Sequence, residues 1–408
     1  MAGTVALGAA ALVAVPAAGP AYAASVPCND AALVTAVAGV ATTGGSLSLS
    51  PGCTYTLTAA DNTNNGLAVI TGSVSITGNN ATIQRSSTAP MFRIFEVGSG
   101  GTLSLTDLTI RGGNVTAQGA GVLVDGGGTL HTTRTRFTAN TTVGNNDGGG
   151  VSVLAGGTST SSGDTYTDNV GFHGGAVNSE GTSTLTNATI TGNRGVEAGG
   201  VNNDTGTSNI TISGSTFTRN IVNGTSGDGA AADFDGGTVK ISNSSFSLNT
   251  TTRTTSNGFA GAIYNDADLT MTGSVVTRNT LTTAGTRAEG GGIYNDGDLT
   301  LVNTAVNANS VQGNANNDSG GIYNDGTLTL QRSTVNANTV ANGFAGGIFN
   351  DGGDLTATSS TISGNTSSDA PGGISNDSGT VTLTGSVVGG NKPTNCVGSP
   401  TPIAGCTG

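Results

Sequence analysis

The chain has 408 residues, of which 69 are glycine and none is tryptophan, and its formal net charge is −12. Its 13 Lys and Arg residues do not supply the cationic surface that binding to nucleic acid or to an anionic membrane requires. Neutral glycans, cations and other proteins remain as partners. The glycine content raises the alternative of disorder, but a disordered chain lacks the apolar periodicity that this chain has.

The first 23 residues (1–23) have the pattern of a secretory signal peptide. An apolar run from Val5 to Ala18 precedes Ala21-Tyr22-Ala23, a cleavage-site pattern. The run is shorter than the about 20 residues of a membrane span. The usual basic segment is missing, because the first Lys or Arg is Arg85, and a start site set too far downstream would explain this. We expect export, a mature chain from Ala24 without a membrane span, and a secreted, extracellular or cell-surface location.

Four cysteines agree with export. Cys28 and Cys53 lie near the start of the mature chain, and Cys396 and Cys406 lie near its end. Sequence alone allows three pairings, but a long rod would keep its ends apart and would favour Cys28–Cys53 and Cys396–Cys406. The alternative is a metal site, which lacks support because Cys-x2-Cys spacing is absent and both histidines are remote from every cysteine. We predict disulfides and no metal site.

An amphipathic helix is predicted directly after the export segment. The apolar residues of Ala31–Val40 fall on one helical face, Asn29 or Asp30 can cap the N-terminus, and Gly44-Gly45 ends the helix. Such a helix can cover the first coil of a stack of strands, whose open edge would otherwise pair with another chain. Residues 24–118 are predicted to form this cap and the first, less regular coils.

From residue 119 to residue 391 the sequence repeats every 24–31 residues. Each copy has a glycine pair and a small apolar anchor, a short alternating strand such as Leu299-Thr300-Leu301, and an apolar residue three positions before an asparagine. The length variation falls between this asparagine and the next glycine pair, where we predict a surface loop. The repeated asparagines are Asn140, Asn169, Asn193, Asn220, Asn249, Asn279, Asn309, Asn338, Asn365 and Asn391.

The repeats predict an all-β fold, a single-stranded parallel β-helix over residues 119–391. Stacking equivalent strands about 4.8 Å apart buries the apolar faces and pairs the backbone in one step. Ile293, Leu299 and Val306 then point inward, Tyr294 points outward, and the asparagines bond to the copies above and below. A β-propeller fits less well, because its blades need about 40–50 residues. Residues 392–408 are predicted to be a disulfide-closed tail.

The paired anchors, of the G-G-[AIV]-[IV]-x-N and Φ-x-x-N kind, resemble the repeats of chlamydial polymorphic membrane proteins. Gly174-Gly175-Ala176-Val177 and Phe217-Thr218-Arg219-Asn220 match best. The chain also resembles bacterial secreted proteins of the pectate-lyase-like superfamily, which implies a right-handed β-helix. The chlamydial repeats imply adhesion. We therefore expect an adhesin-like surface or extracellular interaction protein that binds glycans or a protein partner, with its oligomeric state open.

A polysaccharide lyase or glycoside hydrolase is the alternative that the superfamily implies. Polygalacturonases use paired Asp residues, a Gly-His-Gly segment and an Arg-x-Lys clamp, and this chain lacks both an Asp-Asp pair and Arg-x-Lys. The candidate catalytic residues are Asp147 and His173, together with Asp233 and Asp235 in the irregular fifth copy. We favour a loop histidine beside a glycine pair for His173, and a degenerate repeat for Asp233 and Asp235.

A column of aspartates is the most regular acidic feature of the repeats. At strand spacing these carboxylates would repel one another unless a cation neutralises them or they splay into solvent. Asn-Asp-Gly is a turn signature, so we favour turns and predict no cofactor, with Ca²⁺ as the alternative. Phosphate-loop, zinc and dinucleotide motifs are absent from the sequence. The column consists of Asp266, Asp296, Asp325, Asp351 and Asp377.

Overall fold

A computed structural model describes residues 23–203, 206–224, 227–254, 257–313 and 316–408. The segment predicted as a signal peptide lies outside these residues apart from Ala23. The described chain is a right-handed parallel β-solenoid with one helix, which confirms the predicted all-β class. No helix in these ranges is long and apolar enough to cross a membrane.

Three parallel ladders run along the solenoid, and each coil from Val122 onward contributes a strand segment to all three. Ladder I contains Phe95–Val97, Val122–Val124, Val151–Val153, Val177–Ser179, Val201–Asn203, Ala232–Phe234, Ile263–Asn265, Ile293–Asn295, Ile322–Asn324, Ile348–Thr358 and Ile374–Thr384. Ladder II contains Ala24–Val26, Gly45–Leu49, Ser73–Arg85, Thr102–Arg111, Thr129–Thr133, Thr158–Ser162, Thr182–Thr186, Asn209–Ser213, Thr238–Ser242, Asp268–Thr272, Asp298–Val302 and Thr327–Gln331. Ladder III contains Thr54–Leu57, Arg136–Thr138, Thr165–Thr167, Thr189–Thr191, Thr216–Thr218, Ser245–Ser247, Val275–Thr277, Ala305–Asn307, Thr334–Asn336, Thr361–Ser363 and Val387–Gly389.

Four strands are long enough to serve two ladders. Ser73–Arg85 and Thr102–Arg111 continue from ladder II into ladder III. Ile348–Thr358 and Ile374–Thr384 continue from ladder I into ladder II. The first pair lies in the N-terminal coils that the sequence predicts to be less regular.

The segment predicted as a surface loop also contains strands, which corrects that prediction. Ladder IV contains Asn114–Val115, Thr141–Thr142, Arg194–Gly195, Ile221–Gly224, Thr250–Arg253, Thr280–Thr283, Ser310–Gly313, Thr339–Val340 and Thr366–Ser367. Ladder V contains Gly258–Phe259, Ala288–Glu289, Asn317–Asp318 and Gly343–Phe344. Neighbouring coils have insertions of similar length, so the insertions stack on one another. Leu281, Ala288, Val311 and Val340 form a small buried cluster between the two ladders.

The interior confirms the predicted strand faces and the asparagine ladder. Ile293, Leu299 and Val306 are buried in the main core. In the asparagine ladder each side-chain Nδ2 donates to Oδ1 of the next asparagine, as Asn279 does to Asn309 at 2.9 Å. It also donates to a backbone carbonyl of the previous coil, while Oδ1 accepts from the backbone and side chain of the preceding asparagine. These buried amides are thus fully bonded.

Both ends of the solenoid are closed by the elements predicted for them. The helix Asp30–Val40 is capped by Asn29 and packs Leu33 and Val37 onto the first coils. One disulfide joins Cys28 to Cys53 and the other joins Cys396 to Cys406, with Cα–Cα distances of 5.7 and 6.0 Å. This is the pairing expected of a rod, and it is consistent with an oxidising, extracellular location.

Candidate functional site

Side chains that are mostly polar or charged form a column along one corner of the solenoid. They occupy a single repeat position, four residues before the small apolar anchor of ladder I. Backbone hydrogen bonds stack these residues, since Gly148 N–H donates to the His173 carbonyl and Asp228 N–H donates to the Glu197 carbonyl. The backbones of successive members therefore lie about 4.8 Å apart along the axis of the solenoid. This corner column consists of Gln118, Asp147, His173, Glu197, Asp228, Phe259, Glu289, Asp318 and Phe344.

His173 lies between two carboxylates of the corner column. Its Nδ1 is 2.9 Å from Oδ1 of Asp147, and its Nε2 is 2.8 Å from Oε2 of Glu197. Gln118 donates to the other Asp147 oxygen at 3.0 Å, and the Phe172 ring meets the imidazole edge-on. Both ring nitrogens face carboxylate oxygens, which suits an imidazolium with two N–H donors. The structure thus unites the predicted Asp147 and His173 with Glu197, which sequence reasoning missed.

A second group follows where Arg253 meets the corner column. Its Nη2 lies 3.1 Å from Oδ1 of Asp228. Burial raises the pKa of the Asp228 carboxyl to about 7, Arg253 opposes this rise, and Glu197 and Asp235 add to it. The half-buried Asp228 carboxylate is held in place by its Arg partner, so we assign this pair to packing of the corner.

The predicted candidates Asp233 and Asp235 do not join the His173 group. Asp233 occupies the outward position of ladder I in register with Tyr264, two coils beyond the strand that follows His173, and its side chain is buried. Asp235 is exposed, and its backbone N–H donates to Oδ1 of Asn203 at 2.9 Å. The two carboxylates therefore face different surroundings.

Arg287 gathers three carboxylates further along the same corner. It contacts Glu289, lies 3.1 Å from Oδ2 of Asp318 and lies 3.2 Å from Oδ2 of Asp351. The Tyr323 hydroxyl donates to Asp351 and accepts from Arg287. Burial raises the pKa of Glu289 to about 8 and that of Asp318 to about 6, and Arg287 opposes both shifts. We call these five residues the Arg287 cluster.

The raised pKa of Glu289 predicts an unusual pH dependence. Between its ordinary pKa of 4.5 and its folded value of about 8, the folded state binds more protons than the unfolded state, so the free energy of unfolding falls as pH rises. We expect Glu289→Gln to remove about 1–3 kcal/mol of the fall between pH 5 and pH 8. Urea unfolding at both pH values measures this, with the exposed Asp298→Asn as a matched control. An unchanged pH slope in Glu289→Gln would contradict the prediction.

Aromatic rings occupy the outward positions of ladder I beside the Arg287 cluster. Tyr264, Tyr294, Tyr323 and Phe349 stack with centroid separations of 5.1, 4.8 and 5.6 Å. Tyr294 leaves the main core as predicted, but it is buried in a second apolar cluster with its neighbours. Ladder V and its loops cover this face. The stack therefore stabilises the corner.

The predicted aspartate column is only partly in register. Asp266, Asp296 and Asp325 are exposed, as turn residues would be. Asp351 turns towards Arg287, and a register shift pairs it with Ser378, so that Asp377 leaves the column. Within the part of the chain that the structure describes, no group of His, Cys, Asp or Glu side chains is arranged to hold a metal ion.

The geometry of the His173 group limits the chemistry it can perform. Inverting glycoside hydrolysis needs two carboxyl groups about 6.5–9.5 Å apart with room for a water molecule between them. In this group the imidazole fills the space between Asp147 and Glu197. The imidazole of His173 thus bridges the carboxylates of the coils before and after its own.

Comparisons with protein-family models, with curated proteins and with solved structures found no match to this chain. The resemblance to chlamydial repeats and to the pectate-lyase-like superfamily therefore stays a prediction.

Proposed function

We propose that this chain is a secreted, non-catalytic interaction protein that binds neutral glycans or a protein partner through its outer faces. The observation that carries the proposal is that the charged side chains pair with one another at one corner, while the outer strand faces are mainly uncharged. The acidic and basic groups that could serve catalysis bind one another along the corner column, as His173 does with Asp147 and Glu197. The outward positions of ladders II and III carry mainly Ser and Thr, which suit contacts with uncharged partners.

A polysaccharide lyase or hydrolase is the second candidate, and one observation favours it. Asp147, His173 and Glu197 are adjacent at one corner, where His173 and Glu197 are partly exposed. A substrate that displaced the imidazole from one carboxylate would leave an acid and a base side by side. This activity is the one that the predicted resemblance of the chain to the pectate-lyase-like superfamily implies.

Incubation with pectins, alginates, chondroitins and neutral plant glycans, with and without Ca²⁺, separates the two candidates. For a binding protein we expect retention on at least one immobilised glycan without new reducing ends or unsaturated uronates. We also expect His173→Gln to keep this retention, because the His173 group lies at the corner before ladder I and not on ladders II and III. Turnover that is lost in His173→Gln would reverse the assignment. If neither turnover nor retention is observed, a protein partner remains as the ligand.

A further inference from the structure

The outward positions of ladder II form a two-dimensional lattice of hydroxyl groups. Three outward side chains per coil stand in register from Ser73–Thr77 to Thr380–Thr384, and most of them are Thr or Ser. Strand geometry spaces the lattice about 4.8 Å along the solenoid and about 6.7 Å across it. The backbone of every coil is fixed by its neighbours, and Thr is stiff at χ1. The hydroxyl groups are therefore held in place before any ligand arrives.

Charge is kept out of the middle of this lattice. The strands Thr158–Ser162, Thr182–Thr186 and Asn209–Ser213 present only Thr, Ser and Asn outward. This uncharged block is bounded by His131 on one side and Lys240 on the other. In a chain with a net charge of −12, such a block complements an uncharged, hydrogen-bonding partner.

From this lattice we propose that the uncharged block binds the surface of ice. Each hydroxyl both donates and accepts as a water molecule does, and the two repeat distances hold these groups in a regular array, as oxygen atoms are held on a crystal face. Water ordered over the rigid lattice costs little further entropy when it joins a crystal. The methyl groups of Thr fill the spaces between the hydroxyl columns. Binding is then the sum of many weak contacts in register.

Two observations favour a solid lattice over a soluble oligosaccharide. A small ligand needs a concave site that covers most of its surface, whereas the block is the outer face of regular strands. The outward positions of the described ladder II strands also carry no Phe, Tyr or Trp ring on which a sugar could stack. This inference goes beyond the proposed function, because its ligand is solid water and not a glycan or a protein.

Slow growth of ice in a solution of the purified chain tests the proposal. We expect the protein to be enriched in the ice fraction, and ice recrystallisation to be inhibited. Thr184→Lys places a charge at the centre of the block and should reduce the enrichment at least about tenfold, a loss of about 1.4 kcal/mol. Thr366→Lys adds the same charge at an exposed position of ladder IV and should keep the enrichment. Thr184→Val, which keeps the shape of the side chain, serves if Thr184→Lys fails to fold.

The outcomes separate this proposal from the proposed function. Exclusion of the unmodified protein from ice, or equal enrichment of Thr184→Lys and the unmodified protein when both are folded by circular dichroism, would overturn ice binding. Retention on crystalline cellulose or chitin without partition into ice would overturn it as well, and would support glycan binding. Partition into ice without retention on any glycan would support ice binding and count against the proposed glycan ligand.

Discussion

Replacing Asn279 with Ala is expected to lower the free energy of unfolding by about 3–5 kcal/mol. Asn279 accepts from the backbone and the side chain of Asn249 and donates to Asn309 and to the Phe246 carbonyl. The substitution removes all four of these hydrogen bonds, and it leaves the buried Asn249 backbone N–H without its side-chain acceptor, so the cost includes desolvation. Urea or thermal unfolding monitored by circular dichroism measures the effect.

The matched control for this change is Asn209→Ala. Asn209 is an exposed residue of ladder II, outside the asparagine ladder. We expect this control to change the free energy of unfolding by less than about 0.5 kcal/mol. Equal effects of the two substitutions would show that the buried ladder contributes nothing specific to stability.

Replacing Arg287 with Met should have the second large effect. Three carboxylates of the Arg287 cluster would lose their only bonded cation among the described residues, and removing one partner of a buried ion pair costs about 3–5 kcal/mol. Because Arg287 is itself partly exposed, we expect about 2–4 kcal/mol at pH 8. The measurement is chemical unfolding at pH 8 and at pH 5.

The pH dependence identifies the mechanism of the Arg287 effect. At pH 5 the Glu289 and Asp318 carboxyls, with pKa values raised to about 8 and about 6, are largely protonated in the folded state. The loss of the guanidinium should therefore cost less there. Lys240→Met removes a positive charge from an exposed position and should show no such difference. A cost of Arg287→Met that is equal at both pH values would rule out the electrostatic explanation.

The features that recur in every coil could be predicted from the sequence. The inward Ile and Leu, the asparagine ladder and the strand spacing recur with the same residue types, so periodicity alone indicates them. Ladders IV and V could not be predicted in the same way. Their strands are formed because insertions in neighbouring coils happen to match in length, which is a property of pairs of coils and not of one repeat.

In the candidate site, too, some residues could be predicted from the sequence and others could not. Asp147 and His173 stood out as polar residues beside repeat glycines, and they do lie in contact. Glu197 and the Arg287 cluster were missed because the corner column changes residue type from coil to coil. Aligning the position four residues before each anchor would have found Glu197. It would not have found Arg287, which lies outside that position and reaches the column with a long side chain.

The asparagine ladder also has a direction. Every side-chain amide donates towards the following coil, and Asn391, the last member, donates to Asn395 of the C-terminal tail. A coil therefore presents an unmet amide donor until the following coil docks onto it. The tail ends the ladder, since Asn395 supplies the last acceptor and offers no ladder donor for a further coil.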